Sequence, residues 1–181
     1  MQKGLLALAI AVFVTGCGQN GNGIEIKQNN QGGTLDVPGA IAQMEAEGSA
    51  PMLDRGDSMK GEDANDNGIR DDIEGFIEST PVSEEQKVGL SAYAKGMQKI
   101  QTSEEMTPEV ALSITDSYIP GYFCMTTFTE NNEELRRISE EISAFTANTP
   151  DRAERYLAYN ASMDGASINL PSPAQCQEMS Q

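Results

Sequence analysis

The chain has 181 residues, 28 of them acidic and 12 basic, for a formal net charge of −16, and it contains no histidine and no tryptophan. So acidic a chain lacks the clustered Lys and Arg that neutralise phosphates, which argues against a nucleic-acid partner. Without histidine there are no Ser-His or Cys-His nucleophile pairs and no histidine-held zinc or iron, so carboxylate chemistry and oxygen-ligand metals remain.

The chain opens MQKGLLALAIAVFVTGCGQN. Lys3 supplies a positive start, and Leu5 to Val14 is an unbroken apolar run, suited to a signal h-region and too short to cross a bilayer. Val14-Thr15-Gly16-Cys17 resembles the bacterial lipobox, an aliphatic residue and a small one before Gly-Cys. The resemblance implies that residues 1–16 are removed as a signal peptide and that Cys17 is acylated, palmitate being one acyl group. Two or three acyl chains hold a protein on a membrane stably where one does not. Gly18 follows, not the Asp associated with inner-membrane retention. The expected location is therefore the cell envelope, on the outer membrane, facing the periplasm or the cell surface.

Residues 17–50, rich in Gly, Asn and Gln, bury too little apolar surface to offset the entropy of ordering. They are expected to form a flexible, lipidated tether reaching roughly 30 Å, with at most a turn of helix over Ala40–Glu47. The domain proper is expected over 51–181. Asp54-Arg55-Gly56-Asp57 contains an RGD tripeptide, read as a chance occurrence.

Next comes DANDNGIRDDIE, residues 63–74. Carboxylates this dense repel one another unless something positive lies among them. Counted from Asp63, the segment satisfies D-x-[DN]-x-[DN]-G-x5-E. Asp63, Asn65 and Asn67 offer side-chain oxygens, Gly68 permits the sharp turn, and Ile69 offers its carbonyl. Asp71 ligates directly or through water, and Glu74 closes the set with both oxygens. The formal ligand charge of Asp63, Asp71 and Glu74 is largely cancelled by Ca2+. Mg2+ suits a bidentate carboxylate poorly. The segment resembles an EF-hand loop, with two departures: no helix-forming stripe precedes it, and Arg70 stands where an aliphatic residue is usual. It is closer to the lone calcium loops of dockerins and thrombospondin type 3 repeats, which implies that calcium orders the start of the following helix.

From Ile69 onward the spacing predicts helices. Ile69, Ile73, Phe76 and Ile77 share one face, ended by Thr80-Pro81. Ser83–Gln86 has capping-box form and opens a helix with Leu90, Tyr93, Ala94, Met97 and Ile100 inward. Thr107-Pro108-Glu109 starts another, carrying Val110, Ile114 and Tyr118, with a kink or break expected at Pro120-Gly121. Asn131 or Asn132 can cap a fourth, with Leu135, Ile138, Ile142 and Phe145 inward. Thr149-Pro150 starts a fifth, with Tyr156, Leu157 and Tyr159, ended by Gly165. The tail beyond is expected to be irregular. No period-2 run appears, so the fold class is all-α, a small bundle of about five helices. Cys124 and Cys176 are the remaining cysteines. In an oxidising compartment a disulfide between them is favoured, worth roughly 4 kcal/mol on the chain-entropy model.

The run SMKGEDANDNGIRDDIEGFI and the helix after it resemble a group of uncharacterised proteobacterial lipoproteins with an N-G-[IV]-R-D-D-[IV]-E core. That resemblance implies no activity. The function expected is a lipid-anchored, calcium-stabilised binding or structural module, not an enzyme, with an envelope protein or polysaccharide as partner. The alternative is a glycosidase-like hydrolase working through two carboxyls about 5–10 Å apart.

Overall fold

The computed structural model describes residues 37–127 and 132–179. The expected signal peptide, Cys17 and most of the expected tether lie outside these residues, as does Asn131. The described chain is all-α, with seven helices: α1 (Val37–Ala46), α2 (Asp71–Ser79), α3 (Glu84–Thr102), α4 (Pro108–Thr127), α5 (Asn132–Thr146), α6 (Pro150–Ser162) and α7 (Pro173–Met179).

Local signals set most boundaries. Ser83 and Gln86 form both halves of the expected capping box at the start of α3. Thr107 accepts from Val110 N (3.3 Å) before Pro108, and Thr149 accepts from Arg152 N (3.4 Å) before Pro150. α2 begins two residues later than the apolar spacing suggests, but Ile69 is buried all the same.

α3 is the central helix, packed against α2, α4, α5 and α6. Its inward residues Leu90, Ala94, Met97 and Ile100 meet Ile73 and Ile77 of α2, Ile114 and Tyr118 of α4, and Leu135, Ile138, Ile142 and Phe145 of α5 in one core. Two glycines let α4 approach closely. A Cβ on Gly96 would lie 2.2 Å from the Tyr118 ring, and one on Gly89 would lie 2.5 Å from Met125 Sδ.

Beside this contact stand all five tyrosines of the chain. Tyr93 meets Tyr118 edge-on (5.3 Å) and Tyr122 at 4.8 Å, while Tyr156 stacks near Tyr159 at 6.3 Å. The Tyr159 hydroxyl bonds those of Thr115 (2.6 Å) and Tyr118 (3.1 Å). Burial pushes the Tyr93 phenol up to about 12, and burial with the Tyr159 bond raises that of Tyr118.

Four expectations are corrected. α4 runs unbroken through Pro120, because its packing against α3, α6 and α7 outweighs the lost backbone bond. Leu157 is exposed rather than inward; Tyr156 and Tyr159 carry the buried face of α6. The tail holds α7, whose Ser172-Pro173-Ala174-Gln175 start is itself of capping-box form, with Ser172 N donating to Gln175 Oε1 (2.8 Å). The end of the expected tether is helical: Met44 packs on the core, and Glu45 accepts from Leu53 N (2.8 Å). Those partners come from the folded domain, so no local window could supply them. Cys124 and Cys176 form a disulfide, with Cα atoms 5.2 Å apart, joining α7 to α4.

The glycines give a test of opposite signs. Gly75, in α2, has open space where a Cβ would go, so Gly75→Ala should raise stability by about 0.5–1 kcal/mol. Gly96→Ala should lower it by about 1–3 kcal/mol through overpacking against Tyr118, both read from urea unfolding midpoints.

Candidate metal centre and the strap beside it

The loop 63–74 turns through two left-handed residues, Asp66 (φ 53°) and Gly68 (φ 84°). Only glycine adopts the second without strain, which accounts for Gly68 at the sixth position. The Asp63 side chain is 1% exposed. Its carboxylate accepts from Asn67 N (3.1 Å) and Gly68 N (3.2 Å) and lies 3.5 Å from Lys60 Nζ. Glu74 reaches back across the loop, accepting from Asn65 Nδ2 (3.0 Å) and from the Asn67 amide.

The sequence-predicted ligands are thus brought together in part. Asn65, Asn67 and Glu74 touch one another. Asp71 instead accepts from Ala64 N (3.1 Å), and Asp63 is held by backbone donors. Ile69 is buried in the core. Among the described residues, no three Asp, Glu, Cys or His side chains stand close enough together to hold a metal ion. The electrostatic problem of the loop is met here by amide dipoles and by Lys60, which also pairs with Asp66 (3.0 Å).

Arg70 does something the loop pattern does not foresee. It is 1% exposed, and its guanidinium pairs with Asp72 (2.6 and 2.8 Å). It also donates to the Phe145 carbonyl (2.9 Å) and to Asn148 Oδ1 (3.3 Å). Arg152, fully buried in α6, shares Asn148 Oδ1 (2.8 Å). Its terminal nitrogens also donate to the carbonyls of Asp54 (2.6 Å) and Ser58 (2.7 Å), while its Nε is buried without a hydrogen-bond partner among the described residues. Two buried cations therefore face two carboxylates, Asp72 and Asp54, the latter 3.7 Å from Arg152. Burial, with Arg70 nearby, holds the Arg152 pKa below its usual value.

These groups bind a strap, residues 53–62, that runs without helix into the loop. Asn148 Nδ2 donates to the Asp54 carbonyl (2.8 Å), and Gln98 donates to that of Lys60. Asp54 N donates to Asp72 Oδ2 (2.7 Å), and Asp71 N donates to the Glu62 carbonyl (2.8 Å). Gly61 (φ 70°) is confined twice, since a Cβ there would lie 2.3 Å from Arg70 Cδ. Arg55 of the RGD tripeptide pairs with Glu45 (2.8 Å), which ties the strap to α1. A cleft of about 350 Å³ borders the strap, lined by residues that include Asp54, Glu62, Asp71 and Asp72. Of these carboxylates, Asp54 and Asp72 already serve the two arginines.

No protein family, curated protein or solved structure gives a match to this chain.

The Asp54 carboxyl is held below the usual range, chiefly because Gly56 N donates to it, with Glu62 N and the two arginines adding to the effect. Its contribution to stability is therefore present above the unfolded pKa, about 3.9, and is lost as pH falls through the lower folded value. Asp54→Asn should be less stable than the parent at pH 7, and the difference should shrink below about pH 4 when unfolding is followed by circular dichroism.

Proposed function

We propose that this chain is a lipid-anchored cell-envelope protein whose helical domain is stabilised by one calcium ion at residues 63–74, and that it serves as a binding or structural module. The twelve-residue pattern from Asp63 to Glu74 carries the reading. By their spacing, Asp63, Asn65, Asn67, the Ile69 carbonyl, Asp71 and Glu74 offer an all-oxygen donor set, the chemistry a hard divalent cation takes. The Glu74 carboxylate accepts from the side-chain NH2 groups of Asn65 and Asn67, so three of the expected ligand residues lie side by side. The ion would put a full charge where amide dipoles and one lysine now stand. An isolated site of this kind binds at about 10⁻⁴–10⁻³ M, in the range of extracellular calcium modules.

The lipid anchor is supported by the lipobox-like Val14–Cys17 and the apolar run before it. The disulfide between Cys124 and Cys176 suits an oxidising compartment. The partner is an envelope protein or polysaccharide.

Calorimetry should find one calcium site, and chelator should lower the melting temperature. At a free concentration of ten times Kd the ion adds about 1.4 kcal/mol. Asp63→Ala and Glu74→Ala should abolish both effects; melting that ignores chelator in the parent overturns the metal. Separately, Cys17→Ser should move the protein from the membrane to the soluble fraction and remove palmitate labelling, and an unchanged distribution overturns the anchor.

A further inference from the structure

We propose that the Cys124–Cys176 disulfide is a redox latch: reduction by a dithiol frees a C-terminal arm, residues 164–179, from α4 while the bundle of α2 to α6 stays folded. The proposal stands apart from the calcium reading, since no residue of the loop 63–74 takes part in it.

The core ends before the arm begins. The core cluster, with the half-buried apolar residues packed on it, runs no further along the chain than Met163. There the chain is held on the bundle. The Thr115 hydroxyl donates to Met163 Sδ (3.5 Å), and Ser162 Oγ donates to the Met106 carbonyl (2.9 Å). From Asp164 to Glu178 every residue is exposed except Pro171 and Cys176. Even the large apolar side chains of this stretch stay in solvent, Ile168 at 41% and Leu170 at 55% exposure.

The hydrogen bonds described for residues 164–176 are local. Asp164 N donates to the Ala161 carbonyl, Ala166 N to that of Met163 and Cys176 N to that of Ser172. Ser172 and Gln175 cap one another. Among the described residues, none of these bonds crosses to α4, on which α7 packs. The disulfide does cross, and Cys176 is the one buried residue of α7.

A helix as short as α7 does not hold itself in water. Once the sulfurs part, undocking and melting of α7 therefore coincide, as a local opening that leaves the contacts among α2 to α6 in place. Release turns Cys176 from a buried residue into an exposed thiol on a free tail. The bond also closes a chain loop spanning α5 and α6, so reduction lowers the melting temperature even where the bundle stays folded.

The step is thiol–disulfide exchange. Cys124 is half-buried where Cys176 is 3% exposed, so Cys124 is the more open partner. A thiolate of the dithiol attacks Cys124 Sγ and forms a mixed disulfide with it. The Cys124–Cys176 bond breaks, and Cys176 leaves as a thiolate. The reductant's second thiol then attacks its own sulfur in the mixed disulfide, and Cys124 leaves in turn. Two electrons pass to the protein, the dithiol becomes a disulfide, and its two protons reach the cysteines through solvent.

Dithiothreitol, itself a dithiol, tests this on the full chain in detergent without denaturant. Iodoacetamide should then label both Cys124 and Cys176. Amides of α7 should exchange about tenfold faster or more, while those of α3 change less and circular dichroism keeps the signal of the bundle. Cys176→Ser should show the freed arm from the start and ignore dithiothreitol. Labelling that requires denaturant overturns the latch. So does α7 exchange that reduction leaves unchanged, because packing would then hold the arm. Loss of the helical signal on reduction overturns it too, since the bond would then staple the whole fold. Protected α7 amides in the Cys176→Ser protein have the same force.

Discussion

Arg70 and Arg152 reach into the same buried site and share the Asn148 side-chain oxygen, so each raises the cost of the other's charge. Water cannot relieve that cost. A buried guanidinium is tolerable only with carboxylates and carbonyls set around it. The chain supplies them from four separate places: Asp72 at the head of α2, Phe145 at the end of α5, Asn148 in the connection before α6, and the backbone of the strap. Holding these two side chains thus fixes the relative placement of segments almost a hundred residues apart in sequence. The strap owes its path to this requirement more than to its own apolar content, since Leu53 is its one core residue.

The same requirement sets the loop 63–74 against the bundle. Here Ile69 buries itself in the core and Arg70 plugs the buried polar site, so successive residues anchor the loop to the bundle by two different forces. Arg70 ties this segment to the bundle through Asp72, Phe145 and Asn148. The strap is held through its carbonyls by side chains instead of through an internal backbone ladder.

The helical core was largely legible because its signals are local. The apolar spacing of α2, α3 and α5 names residues that are buried, and the caps at Ser83, Thr107 and Thr149 open helices where expected. What escaped the sequence depends on distant partners. Nothing near Arg152 says that it will be fully buried, because its acceptors lie at residues 54 and 58. α1 reads as tether because Met44 and Glu45 meet their partners only in the folded chain. α7 does carry a local signal: its Ser-Pro-Ala-Gln start has the same capping chemistry as α3. At the candidate metal centre, sequence spacing anticipates the turn at Gly68, where φ is 84°; it does not anticipate that Glu74 accepts from the Asn65 and Asn67 amides. Nor does it anticipate that Asp71 turns to Ala64 N.

The gathering of every tyrosine at one junction has an optical consequence. With no tryptophan in the chain, near-ultraviolet absorption and intrinsic emission arise almost wholly where α3, α4 and α6 meet. The strap and the loop are dark at those wavelengths. Any spectral response to an ion at residues 63–74 must therefore have travelled through the helices to reach the chromophores, so the protein carries its own gauge of how far a local event spreads.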